Sequence, residues 1–131
     1  MLRALIRDLG LLRTSIRTTP EDLGQWYSRA SLLLVTSRLE SFSLVLAEAM
    51  LSGIVPIAYA SDGPSFILDD FPEHLVEFGD VAGLGDRLMR LAGSADLDPL
   101  RRELSASIGA RFSPTVIIER WNALLSKNTE E

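Results

Sequence analysis

The chain has 131 residues, a length that suits one domain, residues 1–131, with a core of its own. Hydrophobic content of 47% and charged content of 24% argue against disorder, while the absence of cysteine excludes disulfides, thiolate metal sites and cysteine nucleophiles. A single histidine, His74, argues against a histidine-based metal site, and a net charge of −5 argues against a general nucleic-acid binder.

In chain order, Leu2, Leu5, Ile6 and Leu9 form a helical stripe that predicts a first helix through about Leu9, packed on a sheet and closed by Gly10. Arg3, Arg7, Arg13 and Arg17 make this start basic, so peripheral contact with an anionic membrane surface is weighed against packing, and packing is preferred. A short strand is expected around Ser15 to Thr18. Thr19-Pro-Glu-Asp22 then reads as a capped helix start, with the helix reaching Arg29. No apolar run approaches the ~20 residues of a spanning helix. The start carries no signal-peptide pattern, so the chain reads as soluble and cytoplasmic.

The apolar run Leu32 to Val35 does not alternate, which predicts a buried parallel strand. Polar residues follow, and then a helical pattern with Leu44, Leu46, Ala47, Met50 and Leu51 available for burial, ending near Gly53. Glu40 and Glu48 mark the two ends of this stretch. Eight residues of helix turn through roughly 80° beyond two full turns, so the two carboxylates would not share a face if the whole stretch were helical, and Glu40 is expected in the loop. Ser41 or Ser43 is expected to cap the helix, leaving Glu40 at its mouth and Glu48 one to two turns in. A helix start at the carboxyl end of a parallel strand is a natural seat for a diphosphate, with flanking carboxylates free to accept from sugar and ribose hydroxyls.

Ile54 to Ala60 is the next expected strand, with Pro56 near its beginning. Ser61-Asp-Gly-Pro64 reads as a ligand-side turn, followed by a short helix from Ser65 to Leu68 and a brief strand from Leu75 to Phe78. Gly79-Asp80 starts a helix whose stripe is Val81, Leu84, Leu88 and Leu91, closed by Gly93. Asp98-Pro99 starts another, to about Ala110. Ser113-Pro114 starts the last, with Ile117, Ile118, Trp121, Leu124 and Leu125 on one face; the tail after Lys127 is expected to fray. Trp26, Trp121 and His74 are read as core, interface or structural residues. The alternation gives an α/β fold: a doubly wound, Rossmann-like parallel sheet with helices on both faces.

Glu40-Ser-Phe-Ser-Leu-Val-Leu-Ala-Glu48-Ala resembles the Glu-x7-Glu motif of family-4 glycosyltransferases, retaining enzymes of the GT-B fold. Tyr27 to Ser37 resembles that family's helix-to-strand lead-in, Gly53-Ile-Val-Pro-Ile57 its following strand, and Asp62 to Leu68 its next ligand-side loop. The resemblance implies the donor-binding, C-terminal part of such an enzyme, incomplete in that two earlier strands, an upstream basic pair and the N-terminal acceptor half are missing. It implies that Glu40 is catalytic beside the donor sugar and that Glu48 binds the ribose. The backbone N–H groups of Phe42, Ser43, Leu44 and Val45 would then meet sugar and diphosphate oxygens, with Ser41 and Gly63 also at the ligand, and no metal or other cofactor would be required. A nucleotide sugar, a carbohydrate or lipid-linked acceptor, and a missing N-terminal domain or self-association are the implied partners.

Each assignment has a structural competitor. Ser37-Arg-Leu-Glu40 also reads as a capping box, Glu48 as a solvated helix residue, and Asp62-Gly63 as a plain turn. Ser41 and Ser43 stand where the family often has glycine, so a positive φ or a close sugar approach would be costly there. Phe66 stands where the family often has an acidic residue. A non-catalytic remnant or interaction module of the same fold is the alternative, and the isolated chain is expected to be inactive.

Overall fold

The computed structural model describes residues 2–11, 13–15 and 23–127. The apolar run 32–35 is the strand β1 (Leu32–Val35), and it is followed by β2 (Val55–Tyr59) and β3 (Leu75–Val76). They form a parallel sheet in the order β1-β2-β3. Register runs from Leu32 opposite Val55 to Val35 opposite Ala58, then Ala58 opposite Leu75 and Tyr59 opposite Val76.

The helices are α1 (Leu2–Asp8), α2 (Leu23–Tyr27), α3 (Leu44–Leu51), α4 (Asp62–Ile67), α5 (Val81–Ala92), α6 (Asp98–Phe112) and α7 (Pro114–Lys127). One sheet face is covered by α3, α4 and α6, where Leu46, Met50, Ile67, Leu104 and Ile108 are fully buried with Val55 and Ala58. On the other face Ile57, Tyr59 and Val76 meet Leu84, Leu88 and Leu91 of α5. Helices thus lie on both faces of an open parallel sheet, the partial doubly wound fold that the alternation of elements implies.

All five residues of β2 are buried, Pro56 included. A proline in the middle strand removes one ladder donor. Pro56 lies ahead of the point where β3 begins to pair, and its carbonyl accepts a 2.6 Å hydrogen bond from His74 Nδ1. His74 is buried and structural, donating to an acceptor that would otherwise be orphaned.

Several expected boundaries shift. Helix α2 ends at Tyr27 and not at Arg29, where the Ser28 hydroxyl donates to the Gln25 carbonyl and competes with the helical ladder. Ser61-Asp-Gly-Pro64 is no free turn: Asp62 opens α4. The third strand stops at Val76 because Glu77 to Asp80 turn into α5, whose start is capped by Asp80 Oδ1 accepting from Gly83 N at 2.8 Å. In α3, Leu44 and Leu51 face outward while Ala49 takes a buried place. Helix α1 closes on Gly10 at φ 65° as expected, but Leu5 and Leu9 are exposed, since both faces of the described sheet are already covered by other helices. Trp26 and Trp121 are also surface residues. The expected strand at 15–18, the helix start at 19–22 and the tail after Lys127 fall wholly or mostly outside the described residues.

Candidate functional site

The loops that leave the carboxyl ends of β1 and β2 face each other across a cleft of about 490 Å³ lined by Arg38, Leu39, Glu40, Ser41, Ala60, Ser61 and Asp62. Glu40 lies in the loop, outside any helix, as its spacing from Glu48 requires. Helix α3 begins only at Leu44, so Ser37 and Glu40 do not form its capping box. The Glu40 carboxylate makes no hydrogen bond or ion pair among the described residues.

This loop is held through its backbone. Gly63 N donates to the Glu40 carbonyl at 2.7 Å, and a Cβ at Gly63 would stand 2.7 Å from Glu40 O and from Phe42 N and C. Only glycine allows α4 to approach so closely. Phe42 anchors the other side of the loop, with its ring centroid 5.4 Å from Phe112 and 6.3 Å from Phe66. Arg111 locks this cluster from α6. Its guanidinium lies 5.2 Å from the Phe66 centroid and 5.1 Å from that of Phe112. It donates to the Phe66 and Ile67 carbonyls at the end of α4 and pairs with Asp69 Oδ1 at 2.6 Å.

Ser43 is the strained point. It precedes α3 with φ 70° and ψ 69°, the left-handed region, the only non-glycine with positive φ among the described residues. It is 3% exposed, and its hydroxyl has no partner among the described residues. The expected side-chain cap is therefore absent, because the left-handed backbone does not deliver the hydroxyl to the helix N–H groups. The donors of Leu44 and Val45, in the first turn of α3, are left uncapped by side chains. A left-handed, buried serine with an unused hydroxyl is the kind of stored strain that collects at functional sites.

Glu48 does not line the cleft. It projects from the exposed side of α3, where its Oε2 accepts a 2.8 Å hydrogen bond from the Tyr27 hydroxyl. Burial, then the hydrogen bond and the charge of Glu48, raise the Tyr27 phenol from 10.0 to about 12. Of the expected residues, the structure thus brings Glu40 and Ser41 together at the cleft, places Gly63 and Phe42 behind their loop, sets Ser43, Leu44 and Val45 at the start of α3, and holds Glu48 apart.

Arg38, Tyr27 and Arg111 escape sequence reasoning, and Ser61 enters it only as part of the ligand-side turn. Arg38 lines the cleft with its guanidinium 5.7 Å from the Phe78 ring centroid, and the buried Ser61 hydroxyl has no partner among the described residues. Arg38 and Ser61 directly follow strands or their flanks, a position that marks ligand-side loops. No local signal links Tyr27 to Glu48, or Arg111 to α4. No three residues of the metal-ligating types cluster among the described residues, and no described helix is long and apolar enough to cross a membrane.

A family model described as glycosyl transferases group 1 matches residues 2–94. An exopolysaccharide phosphotransferase of Streptomyces coelicolor is 32% identical over 130 residues, covering 96% of this chain and 14% of that protein. D-inositol 3-phosphate glycosyltransferases of Corynebacterium kroppenstedtii and Streptomyces coelicolor are 33% and 34% identical over 113 and 93 residues, covering 83% and 70% of this chain. The chain spans 25% and 20% of these two relatives' length.

Proposed function

Because the chain belongs to the glycosyl transferases group 1 family, we propose that it forms the donor-binding segment of a retaining family-4 enzyme, from the C-terminal half of a GT-B fold, that takes a nucleotide-diphosphate sugar. The observation that carries this reading is the start of α3. A left-handed Ser43 and uncapped N–H groups stand at the carboxyl end of a parallel strand, beside a cleft into which a glutamate loop is fixed.

The roles follow from charge and geometry. The N–H groups of Leu44 and Val45, with those of Phe42 and Ser43, receive diphosphate and sugar oxygens at the positive end of α3. Glu40 lines the cleft beside the donor sugar, orienting its hydroxyls and stabilising positive charge that develops at the anomeric carbon. Glu48 takes the ribose hydroxyls. Ser41 and Gly63 complete the loop wall, and no metal is called on. A carbohydrate or lipid-linked acceptor enters from the side that this chain does not build. Without the acceptor half that the resemblance implies, the isolated chain binds nucleoside diphosphate weakly and transfers no sugar.

A non-catalytic module of the same fold is the second reading. It is favoured by the described sheet, whose edge strand β1 leaves Leu34 40% exposed, and by the exposed Ile118, Trp121 and Leu124 of α7.

Calorimetric titration of the folded chain with UDP, GDP and ADP, repeated on Glu48→Ala, separates the two. Binding of one nucleotide that Glu48→Ala removes is the expected result. A folded chain that binds none of the three overturns the donor site and leaves the module.

A further inference from the structure

We propose that Tyr27 is a positioning residue for Glu48, aiming the carboxylate so that its second oxygen is presented to a ribose-type diol. This rests on the donor-site reading above and adds to it a residue from outside the Glu40 to Glu48 stretch.

The observations are local and mutually consistent. Tyr27 closes α2, directly before β1, and reaches across to α3 over a separation of 21 residues. Its hydroxyl is 2.8 Å from Glu48 Oε2. A carboxylate accepts at both oxygens, so one donor on Oε2 leaves Oε1 available. Glu48 is an exposed side chain on a helix surface and makes no other side-chain hydrogen bond or ion pair among the described residues. Without Tyr27 it samples several rotamers; with it, the carboxylate is held in one orientation before any ligand arrives, which lowers the ordering cost of binding. The phenol is suited to this. It is half-buried and protonated throughout the neutral range, so its hydroxyl can donate to the carboxylate.

The test uses the whole chain with the nucleotide that binds it among UDP, GDP and ADP. Tyr27→Phe keeps the ring and removes the donor. It is expected to weaken the nucleotide about tenfold, the scale of one hydrogen bond to a charged group. A staple alone lowers the melting temperature and leaves affinity unchanged, and that result overturns the proposal. In the wild-type chain, with tyrosine ¹³C-labelled at Cζ, saturating nucleotide is expected to shift the Tyr27 signal. An unmoved signal overturns the proposal even where Tyr27→Phe does not fold. Failure of the donor-site reading looks different: either no nucleotide binds, or Glu48→Ala leaves affinity unchanged, and in both cases the Tyr27 role falls with it.

Discussion

The two glutamates of the central stretch are held in opposite ways. Glu40 has a fixed backbone and an unrestrained carboxylate: Gly63 pins its carbonyl, and Phe42, Phe66, Phe112 and Arg111 clamp the loop from behind. Glu48 rides on a regular helix that needs no special anchoring, and it is the side chain that is fixed, by Tyr27. Each region is therefore vulnerable at a different point. The Glu40 region fails through backbone sterics, whereas the Glu48 region responds to loss of one hydroxyl.

The largest effect is expected at Gly63. A Cβ placed 2.7 Å from three backbone atoms of the Glu40 loop cannot be absorbed by a flexible side chain. Gly63→Ala is therefore expected to destabilise the fold by about 3 kcal/mol, the upper range of overpacking, read as a lower urea midpoint. Ser43 sharpens the same region in the other direction. Ser43→Gly releases a left-handed non-glycine and a buried, unpartnered hydroxyl, against the added chain entropy of glycine. A net gain of about 1 kcal/mol in the same titration is expected. If serine is retained there for the ligand, the gain in stability comes with weaker nucleotide binding.

The smallest effect lies at the Glu48 end and depends on pH. The folded state raises the Tyr27 phenol from 10.0 to about 12, so folding favours the neutral form. The resulting stabilisation is complete below pH 10 and is lost as pH rises through about 12. Urea midpoints of the wild type and Tyr27→Phe are expected to converge across that window. Unchanged separation of the two would show that the Tyr27 hydroxyl does not sense Glu48.

How much of this was legible depends on the range of the interaction. Strand β1 was readable as a strand from four consecutive apolar residues, but not as a buried one: only Val35 is buried, and Leu34 is 40% exposed at the edge of the described sheet. Helix α5 was readable from Leu84, Leu88 and Leu91 at helical spacing, although Val81 of the expected stripe stands 71% exposed in its first turn. The same kind of pattern misleads for α1 and α7: Leu5, Leu9, Ile118, Trp121 and Leu124 repeat at helical intervals yet stand exposed. Periodicity states which face of a helix is apolar, and only the arrangement of the other elements states whether anything covers it.

Local patterning is enough to set the alternation of strands and helices, the parallel sheet, and the placement of Glu40 in a loop and Glu48 on a helix. These follow from apolar periodicity, turn residues and the geometry of eight helical residues, all of which act within a few turns of chain. The tertiary structure alone decided that Ser43 is left-handed and does not cap α3, that Gly63 touches the Glu40 loop, that Arg111 closes α4, and that Tyr27 finds Glu48. Each of these joins residues brought together by the sheet, or a backbone angle imposed by that meeting, and neither leaves a trace in local spacing.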